Sequence, residues 1–277
     1  MNRTMAASPT VGTLRVPDAT LYYEVRGRGP LVVLVGAPMD ATSFAPLADL
    51  LAVDHTVLTT DPRGIHRSPV DDPDRDSTPE MRADDLSRLL AHLDAGPAVV
   101  LGSSGGAVTA LALAQAHSGG VHTVVAHEPP VDELLDDREE LRARTEEMVA
   151  TYLAGDPVGA WRQFLAVANI QMPEEVTEAM FAGERDPQEV ADEHFQYAHM
   201  LIPTTRWEPD LAALRAGATR IVVGIGEEST GQLCDRTSRA LAAGLGVAPT
   251  MFPGDHIGFV GDPERFAVRL REVLAEG

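Results

Sequence analysis

Ala98-Val99-Val100-Leu101-Gly102-Ser103-Ser104-Gly105-Gly106-Ala107-Val108-Thr109-Ala110-Leu111-Ala112-Leu113-Ala114-Gln115 is the stretch whose reading decides the fold. Its opening run is apolar and β-branched, which predicts a fully buried strand. Its closing run is rich in Ala and Leu and predicts a helix. Between them, Gly102 to Gly106 spell G-x-S-x-G around Ser104. A chain that passes from strand to helix in so few residues forces the middle residue into a strained turn. Side chains at Gly102 or Gly106 would collide with that turn. The Ser104 hydroxyl is thereby lifted to the end of the strand, beside the free N–H groups and partial positive charge of a helix N-terminus. A Gly-rich strand–helix turn that binds a phosphate, or nothing, can carry the same letters, so the flanks have to decide.

Working outward, strands alternate with helices. Residues 12–16, 20–25, 31–35 and 56–60 read as strands upstream, and 121–126 downstream. The unbroken apolar run 31–35 predicts a central strand buried on both faces. Residues 44–51 form a helical pattern. Ser77-Thr78-Pro79-Glu80 has the form of a capping box and opens a helix to Leu93. This order implies a mostly parallel sheet covered on both faces. From Val131 to Pro203 no strand pattern occurs. Helical segments are expected at 132–153, 156–170, 173–182 and 187–201, several of them with Pro in the first turn. Alternation returns with a helix at 209–215, a strand at 220–225, a helix at 233–243, a strand at 249–252 and a last helix from Asp262-Pro263 to Ala275. The expected organisation is an α/β core over 1–130 and 208–277, with a helical cap over 131–207 inserted in it.

Composition bounds the function. A chain of 277 residues can bury one large core or a core with an insert. Hydrophobic residues make up 44% and charged residues 23%, as in ordinary globular proteins. A formal net charge of −20 argues against nucleic acid and against anionic membrane surfaces as partners. All 22 basic residues are Arg. The single cysteine, Cys234, excludes an intrachain disulfide and suggests no metal cluster, and no His-Glu-x-x-His spacing occurs. Residues 1–14 lack a basic start followed by an apolar core, and no apolar run approaches the roughly 18 residues of a spanning helix. A cytoplasmic location is expected. So is a small-molecule substrate, with no metal or organic cofactor and a homodimer as the one assembly left open.

Four short stretches then fall in order: Gly36-Ala37-Pro38 after the third strand, Asp61-Pro62-Arg63-Gly64 with Ser68 after the fourth, Gly-Ser-Ser-Gly-Gly around Ser104, and Pro253-Gly254-Asp255-His256 before the final helix. Over nearly its whole length the sequence resembles the α/β-hydrolases, specifically members with a serine nucleophile and a helical cap. The resemblance implies the α/β-hydrolase fold: a mostly parallel doubly wound sheet with an inserted all-helical cap. It also implies roles. Ser104 is the nucleophile, and a serine hydroxyl needs a base. Of nine histidines, family order selects His256, on the loop after the last strand; His127 is the reserve, and an ordinary exposed loop histidine is the bland alternative for His256. The backbone N–H groups of Gly105 and Ala37 form the oxyanion hole. The family usually has His-Gly where this chain has Val35-Gly36, and Pro38 has no N–H to give.

The third triad member departs from the family pattern. The usual acid follows the seventh core strand in Gly-x-x-Asp, but Gly226-Glu227-Glu228-Ser229 puts Ser229 there. Glu128, ending the sixth strand, is the preferred substitute, because some relatives carry their acid after that strand. Glu228 is the alternative, Glu227 or no acid at all remains open, and the bland alternative for Glu128 is an exposed carboxylate at a strand end. A serine in place of the aspartate of dehalogenases and epoxide hydrolases points to acyl transfer. The expected activity is hydrolysis of a small neutral ester or lactone through an acyl-enzyme. A cofactor-free lyase or perhydrolase, or a small-molecule-binding protein, on the same fold is the second reading. Met39, Pro129, Val131 and Ile257 are expected to line the substrate pocket. In the cap, Trp161, Phe164, Met172, Phe181, Phe195 and Met200 line it too or form the cap's own core.

Overall fold

Residues 8–276 are described by a computed structural model. The core is an eight-stranded sheet in the order β1-β2-β4-β3-β5-β6-β7-β8. Its strands are β1 (Thr10–Val16), β2 (Ala19–Gly27), β3 (Leu31–Val35), β4 (Thr56–Thr60), β5 (Ala98–Ser103), β6 (Val121–His127), β7 (Arg220–Gly226) and β8 (Thr250–Phe252). β1 and β2 pair antiparallel, as do β2 and β4; every pairing from β4 to β8 is parallel. The antiparallel hairpin at one edge follows from the tight turn at Pro17-Asp18, where Asp18 has φ 63°.

The β3 run explains the layers. All five residues are buried. Leu31, Val33 and Val35 face one side, where they pack with α2 (Pro79–Leu93), α3 (Gly105–Ala116) and α10 (Leu233–Leu245). Val32 and Leu34 face the other, against α1 (Ala41–Leu51) and α12 (Pro263–Ala275). Alternation along a strand thus feeds two cores at once, and truncating one such side chain to Ala costs about 2–5 kcal/mol.

Between β6 and β7 the described elements are all helical: a 3-10 turn at Asp132–Leu134, then α4 (Arg138–Leu153), α5 (Pro157–Ala168), α6 (Glu174–Met180), α7 (Pro187–Phe195), α8 (Leu201–Thr205) and α9 (Leu211–Ala216). The expected single helix over 132–153 is broken. Leu135 takes extended backbone and buries its side chain with Leu141 and Leu233, so α4 starts only at Arg138. The expected helix over 187–201 becomes α7, a π-helical turn at Gln196–Met200, and α8. Pro203 has no N–H to return to the His199 carbonyl, and that oxygen accepts from Ser77 N–H instead, at 2.9 Å. The same loop corrects the capping box. Thr78, not Ser77, caps α2 and accepts from Met81 N–H, because Pro79 already occupies the first helical position. A short turn, α11 (Gly258–Gly261), was not expected.

Arg82 of α2 ties cap to core. Its buried guanidinium donates to Thr109 Oγ1 of α3 at 3.0 Å and to Thr204 Oγ1 of α8 at 2.9 Å. Among the described residues no helix is long and apolar enough to cross a membrane. The reading of residues 1–14 as lacking a leader falls partly on residues 1–7, outside the described residues.

Candidate active site

The sheet order reverses at β3. β4 lies on one side of it and β5 on the other, so the loops leaving β3 and β5 diverge and open a crevice above their C-terminal ends. Ser104 stands in that crevice, on the turn from β5 to α3, with φ 55° and ψ −127°. Such a conformation is held only where the surroundings over-determine it. The glycines supply this. A Cβ on Gly106 would come 2.2 Å from the Val35 carbonyl, and one on Gly105 would come 2.5 Å from the Ala37 carbonyl. The start of α3 is therefore pressed against the loop after β3, and the two N–H groups expected to serve as the oxyanion hole, Ala37 and Gly105, sit on adjoining segments. Gly105 is the first residue of α3, so its N–H has no partner within the helix.

Two residues far apart in sequence meet at the cavity that Ser104 lines, with His256 in its wall. His256 Nδ1 lies 2.6 Å from Glu128 Oε2, and the other carboxylate oxygen, Oε1, accepts from Gly226 N–H at 2.8 Å. Glu128 is wholly buried and has φ 51°, a turn forced on the residue between β6 and the Pro129-Pro130 pair. Burial is the largest influence and works to raise its pKa, but the hydrogen bond from His256 and nearby imidazole charge together outweigh it, and the carboxyl is held down to about 2. An ionised carboxylate only accepts, so Nδ1 of His256 carries a proton, and Nε2 becomes an acceptor when the imidazolium loses its other proton. For His256 itself, burial disfavours the imidazolium, while Cys234 and Glu128 beside it outweigh burial and raise its pKa above the ordinary value.

Ser104, Gly105, Ala37, Met39, His256 and Ile257 all line one cavity of about 380 Å³ between core and cap. That volume suits a small ligand. Pro129 and Val131, expected in its wall, are not there; Pro130 and Asp132 are. Val131 N–H turns back onto the Pro129 carbonyl at 2.9 Å, and Thr237 Oγ1 donates to the same oxygen at 2.7 Å. The tight turn sends Pro129 and Val131 inward, with Val131 fully buried in the core, and its neighbours toward the cavity. From the cap, Trp161, Phe164, Met172 and Met200 line the cavity. Phe195 instead covers Gly64, and Phe181 lies under the Arg185 guanidinium.

The rival residues separate cleanly. Glu228 and Glu227 are exposed, while Ser229, at the position where the family has its acid, is buried. His127 is fully buried, packs edge-on to Phe252 and Phe266, and has its pKa lowered by burial to about 4. It lies among Phe252, Phe259 and Phe266 and is not in the cavity wall. Arg206 pairs with Glu146 in a surface groove and does not enter the cavity.

Two cavity residues escaped sequence reasoning. Cys234 lies against His256, with its thiol pKa raised chiefly by burial. Asp132 is 3% exposed, and its Oδ1 has no hydrogen-bond partner. Burial, then the charges of Glu133 and Asp137, raise its pKa to about 7, against the smaller pull of Arg236. An aspartate beginning a helical pattern carries no signal of such burial. Glu128, Cys234 and His256 bring possible metal-donor atoms within 4.8 Å of one another, as do Asp40, Asp61 and His66. A cation in the first set would take the imidazole and carboxylate that already bond each other. The second set already holds the Arg67 guanidinium, whose Nε is 2.7 Å from Asp61.

Comparison with known proteins agrees with this architecture. A family model described as the α/β hydrolase fold matches residues 29–169. A Bacillus subtilis (strain 168) protein named uncharacterized hydrolase YraK is 31% identical over 276 residues, 95% of each chain. The zearalenone hydrolase of Bionectria ochroleuca is 27% identical over 266 residues, 93% of this chain and 95% of that one. A thermophilic esterase from Thermogutta terrifontis superposes with a TM-score of 0.73 at 21% identity, covering 98% of this chain and 99% of the other.

Proposed function

The chain is a hydrolase of the α/β-hydrolase fold family, and from that premise we propose that it cleaves a small neutral ester or lactone through an acyl-enzyme on Ser104. The observation that carries this reading is the 2.6 Å contact between Glu128 and His256 in the crevice that also holds Ser104. In the proposed reaction His256 Nε2 takes the Ser104 proton as Oγ attacks the carbonyl carbon. The tetrahedral oxyanion is received by the N–H groups of Ala37 and Gly105, an interaction whose loss at one donor typically costs about 100- to 1000-fold in rate. Collapse expels the alcohol, which takes its proton from His256. Water then repeats the sequence and releases the acid. Glu128 holds the imidazole in the right tautomer and stabilises the imidazolium as it forms. We also propose a cytoplasmic location, in keeping with the single cysteine.

Substrate polarity follows from the wall. The cavity is dominated by Met148, Trp161, Phe164 and Leu165, and no arginine faces it among its lining residues. A net charge of −20 repels anions at a distance, an effect that salt weakens. Neutral esters are expected to be turned over with kcat/KM about 10-fold or more above matched carboxylated esters, because a charge buried there would be unpaired. The measurement is kcat/KM for both at low and high salt. A preference for the anionic ester at both ionic strengths would contradict this selectivity.

A further inference from the structure

Asp132 is an anomaly in this cavity. It is 3% exposed, its buried Oδ1 has no hydrogen-bond partner, and it lines a mostly apolar wall whose other polar side chains include Thr145, Gln196, Thr204, Thr205 and Gln232. Its backbone carbonyl is spoken for: it accepts from Leu135 N–H at 3.0 Å, in the turn before α4. Its side chain is not. The nearby cations are engaged elsewhere. Arg236 holds Asp137 with contacts of 2.7 and 2.8 Å, and Arg142 is bound to Glu133. A buried polar group without a partner costs roughly 1–3 kcal/mol, more if charged. A fold that keeps one at a cavity wall leaves that cost to be removed by whatever fills the cavity.

We propose that Asp132 is a polar subsite that receives a hydroxyl group of the substrate, so that the preferred substrate is a neutral ester or lactone bearing a hydroxyl on the part held in the cavity. This rests on the ester-hydrolase reading above and names its substrate class. A hydroxyl suits the site for a physical reason. It donates one hydrogen bond and accepts another, so it satisfies the carboxyl in either protonation state. An ammonium group would also meet the carboxylate, but it would bring a second charge among Trp161, Phe164 and Leu165, where desolvation works against it. A ligand without a donor would leave the ionised carboxylate unpaired. Ser104 and His256 occupy the catalytic part of the same cavity, and Cys234 of α10 lies near both His256 and Asp132. The subsite and the reacting bond are therefore parts of one continuous space.

The test uses methyl decanoate and its monohydroxy isomers, with the hydroxyl moved along the chain from C3 to C9. At least one isomer is expected to exceed methyl decanoate in kcat/KM by about 10- to 100-fold, the worth of one satisfied buried hydrogen bond. In Asp132→Leu that ratio falls to near one. In Asp132→Asn, which can still donate and accept, part of it remains, and this variant serves if the leucine does not fold. The same esters are titrated by calorimetry into Ser104→Ala, with and without Asp132→Leu, so that binding is read without turnover. Preference in binding that depends on Asp132, with no hydrolysis in the wild type, would sink the hydrolase reading and keep the subsite. Hydrolysis without any preferred isomer, a preference that survives Asp132→Leu, or a stronger preference for the matching amino ester would overturn the subsite.

Discussion

Ser104→Ala lowers kcat for a small neutral ester by about 10,000- to 1,000,000-fold, while the thermal unfolding curve stays close to that of the wild type. The size of the loss follows from the role. Without the hydroxyl no acyl-enzyme forms, and only oxyanion binding and substrate positioning remain, which by themselves accelerate hydrolysis modestly. The small structural effect follows from the place. Ser104 lies on the cavity wall, and its side chain caps no helix: α3 begins without a side-chain hydrogen bond from it. The strained φ of 55° is borne by any non-glycine residue alike, so alanine adds no new backbone cost. Activity retained in this variant would end the serine mechanism.

The second large effect is at Glu128. Glu128→Gln is expected to lower kcat by about 10,000-fold, the scale seen when a triad carboxylate becomes an amide. Both oxygens are occupied, one by His256 Nδ1 and one by Gly226 N–H. An amide offers one oxygen and one NH2: with the NH2 toward Gly226 two donors face each other, and with the NH2 toward the imidazole Nδ1 becomes the acceptor, so Nε2 carries the proton and cannot take one from Ser104. The pH profile should move as well. Burial disfavours the imidazolium, but Cys234 and Glu128 together favour it more, so in the wild type the acidic limb of kcat/KM, which reports His256 losing its proton, lies above the ordinary histidine value. Removing the negative charge lowers that limb. Glu228→Gln serves as the control, because Glu228 is exposed, whereas His256 Nδ1 bonds Glu128. If only the Glu228 variant loses activity, Glu128 is not the acid.

Much of this was legible in the chain. β3 and β4 were found to the residue, because a central buried strand is an uninterrupted apolar or β-branched run with turn residues at both ends. The turn at Ser104 was legible because its glycines answer a steric demand that no other residue meets. The pairing of Glu128 with His256 was legible only as a preference among acids. It depends on β6 and β7 being neighbours, and neighbour relations in a parallel sheet are set by crossovers, not by local pattern. What stayed hidden was finer. The Pro129–Val131 turn inverted which residues of that segment face the cavity, a one-residue phase that composition does not record. The break at Leu135 and the π-helical turn before α8 arise from tertiary packing, against intact helical periodicity. The solitude of Asp132 is likewise a property of what fails to surround it, and no sequence window contains that.

The central claim is that Ser104 is an activated nucleophile, and covalent labelling tests it most directly. The protein is treated with a fluorophosphonate probe and its intact mass is measured, followed by peptide mapping. The account predicts one adduct, on the peptide carrying Ser104, formed in the wild type, absent in Ser104→Ala and strongly slowed in Glu128→Gln. Ester hydrolysis by a wild-type protein that takes up no probe, or an adduct on a residue other than Ser104, would contradict it.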